Sequence, residues 1–276
     1  VTRTVGAGTS VPAPEAGDPE LPSVARIRDC WLGGAHHTAA DRGAAEQVAV
    51  CAPHLPYLVR TQRAFLRRVL EYLTGIGVRQ FLDFGSGLPT AGNVHEVVQR
   101  VDPTCRVVYV DVDPAVAATG RDVLAGNGNA GFVEADLREP ESVIAARETR
   151  RLLDLDRPVA ALMIDVLHFL PDRDDPRAVV GAYLGALCPG SYLAVSHLAH
   201  DQRLLDGLRI YGNLYHGPLP ELTLRSPLQV AAFFDGLDMV EPGLVPMPMW
   251  RPEPADLDDN RNPDRFPGYA GLARKP

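Results

Sequence analysis

The sequence predicts an α/β protein: a largely parallel sheet with helices wound over both faces, preceded by an all-helical region. Three observations predict it. From residue 79 onward, short apolar runs alternate with helical stretches, the pattern of βαβ units. Three of those runs end in an acidic residue at a turn, Asp83, Asp111 and Asp136. Before residue 79 the helical period alone is legible. A hydrophobic content of 46% over 276 residues suffices for one large core with a modest appendage.

Residues 1–21 are rich in Pro, Gly, Ala and Thr without any hydrophobic period, and they read as a disordered tail. Val24, Ile27, Trp31 and Leu32 then recur at helical spacing until Gly33-Gly34 stops the helix. Thr38 with Asp41 forms a capping pair that opens a second short helix towards Cys51. A longer helix follows, with Leu58, Phe65, Leu66, Val69, Leu70 and Leu73 on one face, ending at Gly75-Ile76-Gly77. Residues 22–77 thus form an N-terminal helical cap ahead of a ligand-binding domain at 78–276. The two short helices are not long enough to be stable unpacked. Helices already cover both faces of a wound sheet, so the open mouth above the strand ends is the predicted docking place. The sheet's outer flank is the alternative.

The predicted strands are Gln80–Phe84, Arg106–Asp111, Gly131–Glu134, Val159–Asp165 and Ser191–Ser196. Between them, Asp113-Pro114 and Asp175-Pro176 each set an N-cap carboxylate before a proline at the first helical position. Ser226-Pro227 does the same, and Gln229 completes a capping box. Leu237–Met247 and Tyr269–Arg274 follow as two strand-like runs joined by a polar linker, which predicts an antiparallel pair at the sheet edge.

Composition narrows the partners. The formal net charge is −8 and no basic tract is present, which argues against a phosphate-backbone partner. Arg60, Arg63, Arg67 and Arg68 lie within a helical pattern and read as a solvated face. Cys30, Cys51, Cys105 and Cys188 show no metal-ligand spacing and read as free thiols. No metal site is marked. No apolar run approaches the roughly 20 residues of a membrane span, and no secretory pattern opens the chain, so a cytoplasmic location is expected.

The strongest chemical signal is FLDFGSGLPT, residues 81–90. A buried strand ends in Asp83, Gly85 and Gly87 flank Ser86, and a helix start near Thr90 offers unpaired N–H donors. In VVYVDVDP a second strand ends in Asp111, a carboxylate placed to accept from both hydroxyls of a ribose. Asp113, two residues on, is better explained as an N-cap. Asp136 follows the third strand, where an acid accepts from an adenine amine while Leu137 packs on the ring. Capping of the helix near Pro140 is its other reading. A dinucleotide fingerprint would need glycine at position 90, where Thr90 stands, and Asp83 would repel a phosphate. The set favours an adenosyl ligand without a pyrophosphate, S-adenosylmethionine.

FLDFGSGLPT, VVYVDVDP, ADLREP, VLHFL, PGSYLAVSH, FFDGLDMVEPGLVP and GYAGLARK, with SVARIRDCWLGG and AADRGAAE before them, together resemble the actinobacterial S-adenosyl methyltransferase family, formerly a domain of unknown function. The resemblance runs over roughly residues 22–275. It implies a class I methyltransferase fold, a Rossmann-like seven-stranded sheet in the order 3-2-1-4-5-7-6 with strand 7 antiparallel. It also implies S-adenosylmethionine bound across Asp83–Gly87, Asp111 and Asp136. It implies no particular acceptor. The chain departs from the pattern at Arg28, where relatives often carry tyrosine, and at His36-His37, where they often carry an acidic–amide pair.

Methyl transfer needs donor and nucleophile aligned and, for a hydroxyl acceptor, a proton removed. Asp165 and His168 end the fourth strand, and Ser196-His197 end the fifth. His168 is the candidate base, with a structural histidine as the alternative; His197 and His200 are weaker candidates. Arg26, Asp29, His36, His37, His197 and Tyr211 are the candidate acceptor contacts, and Tyr215 and His216 lie near the last of these. A small-molecule acceptor is expected. A donor-binding sensor, a non-methylating enzyme and, less favoured, an NAD-dependent oxidoreductase are the competing readings.

Overall fold

The computed structural model describes residues 22–87, 92–202, 204–207, 209, 222–254 and 263–276. Thr90, Tyr211, Tyr215, His216 and the N-terminal tail named above lie outside the described residues.

Among the described residues three helices precede the first strand: α1 (Val24–Trp31), α2 (Ala39–Cys51) and α3 (His54–Gly75). α2 opens on the capping box that Thr38 and Asp41 spell out, with Asp41 N–H donating to Thr38 Oγ1 and Thr38 N–H to the Asp41 carboxylate at 2.7 Å. That buried carboxylate also accepts from Ser23 N–H at 2.8 Å and Arg26 Nε at 2.7 Å, so one side chain ties the starts of α1 and α2 together. Asp29, fully buried, accepts from His36 N–H at 2.8 Å and meets His37 Nδ1 at 2.9 Å. A Cβ on Gly34 would stand 1.9 Å from Asp29 Oδ1, so this turn requires glycine.

The eight-stranded sheet runs β3-β2-β1-β4-β5-β8-β6, with β7 also paired to β8. β1 (Gln80–Phe84), β2 (Arg106–Asp111), β3 (Ala130–Glu134), β4 (Ala160–Ile164) and β5 (Tyr192–Leu198) are parallel. β8 (Gly268–Arg274) is antiparallel to β5 and to the short strands β6 (Asp238–Met239) and β7 (Val245–Pro246). This is the Rossmann-like methyltransferase order with one difference in strand count. The run 237–247, expected as a single strand, is split where Pro242 and Gly243 (φ 84°) turn the chain out of the ladder.

Among the described residues the connections include α4 (Val94–Val101), α5 (Pro114–Val123), α6 (Pro140–Ala145), α7 (Arg147–Leu152), α8 (Pro176–Ala186) and α9 (Pro227–Ala231). Asp113 caps α5 by accepting from Ala115 N–H at 2.8 Å, Asp175 caps α8, and Ser226 with Gln229 boxes the start of α9. Apolar residues divide into two clusters on opposite faces of the sheet. Phe81, Val107 and Leu162 pack with Ile27, Phe65 and Leu70 of the N-terminal helices. Leu82, Val108 and Met163 pack with Val180 and Tyr183 of α8.

The arginines of α3 do not form one solvated face. Arg60 is exposed, but Arg68 is buried and donates to the carbonyls of Trp250 (2.8 Å) and Met247 (3.2 Å). The 247–250 turn covers that side of the helix, and its carbonyls take the guanidinium in. Arg67 pairs with Glu71 and Glu253 nearer the surface, and Arg63 turns towards the strand ends. No described helix is long and apolar enough to cross a membrane.

Candidate functional site

β1 and β2 are neighbours, with Asp83 in register with Tyr109, so their carboxyl ends open on one edge. A cleft lies there beneath α1 and α3. Asp83, Gly85, Ser86 and Gly87 line it from β1, Tyr109 from β2, and Ile164 and Asp165 from β4. Arg28 of α1 with Leu32 just after it, Val59, Gln62, Arg63 and Leu66 of α3, Asn93 with Val94 at the start of α4, and Gly120, Leu124 and Phe132 complete the wall.

Asp83 is buried, and its carboxylate accepts no hydrogen bond from a described residue. Burial pushes its pKa up to about 7; the Arg63 charge pulls it down, and Asp111 adds to the rise. The turn after it uses the left-handed region at Gly85 (φ 61°) and Gly87 (φ 64°). A Cβ on Gly85 would meet Val166 Cγ2 at 2.4 Å, whereas Gly87 faces open space. Asp111 accepts Gly87 N–H at 2.9 Å and Asp113 N–H at 3.0 Å, which orients the carboxylate and leaves further lone pairs on both oxygens. Burial raises its pKa and those backbone donors oppose the rise.

The third acid is differently placed. Arg138 donates to both oxygens of Asp136 and reaches on to Asp174 at 3.1 Å, and these bonds hold the Asp136 pKa low. Leu137 accepts from the Tyr183 hydroxyl through its carbonyl at 3.0 Å. Neither residue is among those lining the cleft, and nor is Asp111, which meets it through its bond to Gly87.

On the other side, Asp165 takes a left-handed conformation (φ 60°) just past β4, held by its N–H to Ser196 Oγ at 2.9 Å. Non-glycine residues in that region are strained, and such strain concentrates at functional sites. Arg28 Nη1 donates to Asp165 Oδ2 at 3.0 Å and its Nη2 to Gln62 Oε1 at 3.3 Å, so a polar chain runs from α3 through α1 to the end of β4.

His168 lies buried behind Asp165, with Nδ1 3.5 Å from Asp165 Oδ1 and outside the cleft wall. Burial first, then the charges of Arg28 and Arg225, pushes its pKa down to about 3. An imidazole so reluctant to take a proton is a poor general base near neutral pH. His197 has both ring nitrogens engaged, Nδ1–H donating to Leu198 O at 2.8 Å and Nε2 accepting from Arg225 at 3.0 Å. Burial pushes its pKa down to about 4, which keeps it neutral. Arg225, which no sequence signal singles out, also grips the carbonyls of Leu167 and Leu170 and thereby holds the turn after β4. Arg26, Asp29 and His37 are occupied within the helical region itself, and His200 is exposed.

The model of one protein family, described as S-adenosyl methyltransferase, matches residues 12–276. A Streptomyces avermitilis protein of the DUF574 family is 38% identical, with 94% of this chain and 99% of that one covered and a TM-score of 0.83. A Thermobifida fusca protein provisionally described as a methyltransferase is 39% identical, with 93% and 96% covered and a TM-score of 0.79. No curated protein matches the sequence. The carboxylate-and-glycine cleft at the ends of β1 and β2, the strand order and a family match over nearly the whole chain converge: the chain belongs to the S-adenosyl methyltransferase family and is an S-adenosylmethionine-dependent methyltransferase.

Proposed function

We propose that the chain methylates a small-molecule acceptor held between α1, α3 and the end of β4, with residues 22–77 acting as a cap over the domain at 78–276. The observation that carries this reading is Asp83: a buried carboxylate on the cleft wall, without a hydrogen-bond donor among the described residues, beside two left-handed glycines and Asp111. Such a group fits a cation, and the methionine ammonium is one. Gly87 leaves room for the donor backbone, and Asp111 accepts from the ribose hydroxyls. When bound, the donor supplies an electrophilic methyl on a sulfonium.

The chain's own task is alignment and exclusion of water. The Arg28–Asp165 contact closes one side of the cleft and places a carboxylate beside the acceptor space. Burial raises the Asp165 pKa, which makes it a better proton acceptor for a hydroxyl than the neutral His168 behind it. A covered, concave site and a net charge of −8 favour a small acceptor over nucleic acid. Incubation with methyl-labelled donor and fractionated small-molecule extracts tests this. Label should pass to a low-mass product and do so less in Asp165→Asn; transfer to polynucleotide alone would overturn it.

A further inference from the structure

We propose that Arg63 of α3 binds the donor's methionine carboxylate, so that Arg63 and Asp83 together grip a zwitterionic α-amino acid head. The inference rests on the donor reading above and extends it to a helix that precedes the nucleotide-binding strands.

An α-amino acid carries its ammonium and carboxylate on one carbon, so a site that holds both needs opposite charges facing each other across a short gap. Asp83 at the end of β1 and Arg63 on α3 line the same cleft. Each feels the other's field: Arg63 lowers the Asp83 pKa, and Asp83 opposes the fall that burial imposes on Arg63. Yet Asp83 accepts no hydrogen bond from that guanidinium, so the two charges stand apart. Arg63 is also fixed in place. Its Nη1 donates to Gly92 O at 3.1 Å, and a Cβ on Gly92 (φ 79°) would stand 3.9 Å from its Cδ. The guanidinium is therefore anchored to the far end of the segment whose near end is Gly87. Arg28, the other arginine of the cleft, faces Asp165 and Gln62 on the acceptor side. The two arginines divide the work, Arg63 on the donor's amino acid head and Arg28 on the acceptor space. A guanidinium presents paired N–H donors that match a carboxylate in one plane.

Calorimetric titration with S-adenosylhomocysteine and with its decarboxylated analogue, in which hydrogen replaces the carboxylate, tests the assignment. Wild-type protein should bind the analogue more weakly by roughly 10–100-fold, the scale of a charge-assisted hydrogen bond. Arg63→Met should weaken S-adenosylhomocysteine by about the same factor and leave the analogue within about 3-fold, so that the two losses do not add. Arg63→Lys, which keeps the charge and guards against a folding defect, should retain part of the discrimination between the ligands. Equal weakening of both ligands in Arg63→Met, or unchanged binding of S-adenosylhomocysteine, would overturn the role. Failure of wild-type protein to bind either ligand would instead overturn the donor reading beneath it.

Discussion

A carboxyl whose pKa is pushed up to about 7 by burial makes folding and ligand binding depend on pH in opposite directions at Asp83. In the unfolded chain an aspartate loses its proton near pH 3.9. Between there and about pH 7 the folded protein holds a proton that the unfolded chain has released. Stability from this group is therefore present at low pH and is lost as pH rises through that window. Asp83→Asn has no such proton, so its stability relative to wild type should climb over the same range and then level off, as urea titrations across it will show. Binding reverses the preference, because the donor's ammonium stabilises the carboxylate. S-adenosylhomocysteine binding near pH 6 should release a proton in wild type and none from this site in Asp83→Asn, measurable by calorimetry in buffers of different ionisation enthalpy. The neighbouring pair separates two roles of one residue type. Asp111→Ala should weaken the donor by roughly 1.5–3 kcal/mol. Asp113→Ala should leave affinity nearly intact and cost about 1 kcal/mol of stability as a lost cap of α5. Exchanged phenotypes would place the ribose on the wrong carboxylate.

At the scale of elements, the junction of α1 and α2 hangs on Asp41, which gathers the N–H groups of Ser23 and Thr38, the Thr38 hydroxyl and Arg26. Asp41→Asn turns one acceptor into a donor among donors, and local opening of these helices should become easier by about 2–4 kcal/mol. Hydrogen exchange should accelerate in residues 24–51 while the amides of β1 and β4 stay protected. This capping chemistry was legible in the sequence because it is local. So were the five parallel strands, since strands buried on both faces read as nearly unbroken apolar runs. The acids at or just past the strand ends were legible for the same reason, Asp111 closing its run, Asp83 standing one residue before the end of β1 and Asp136 two residues past β3. Which face of a helix meets which partner was not. Arg26 and Arg28 are about 200° apart around α1, and the pattern of apolar residues does not say which one reaches the site. The structure spends Arg26 on Asp41 and sends Arg28 to Asp165. Arg63 and Arg68 read as solvated within the helical pattern of α3, and what takes them in lies far away in sequence, at Gly92, Met247 and Trp250. The split of the 237–247 run was marked by Pro242-Gly243, a turn signal that its apolar flanks outweighed.

Across the whole molecule, one apolar cluster joins the N-terminal helices to the sheet, and the same helices wall the cleft, so ligand and fold are coupled. S-adenosylhomocysteine at about 100 times its Kd should add roughly 2.7 kcal/mol to unfolding, raising Tm by several degrees, while NAD at equal concentration should not. A shift with NAD alone would contradict the site. The position of β8 has a consequence of another kind. It pairs along its length with β5 on one side and with β6 and β7 on the other, so this interior strand, one in from the sheet edge, lies at residues 268–274. During synthesis a chain emerges at roughly 5–20 residues per second, and its earlier parts are free to fold first. Here β5 leaves the ribosome by residue 198 with one long edge bare, and it must wait some 70 further residues (268 − 198) for its partner. For several seconds every nascent chain carries an apolar strand edge of the type that neighbouring chains can capture. Crowded polysomes making this protein are therefore the place where it is most exposed to mispairing, and slowing translation after residue 198 should lower the soluble yield.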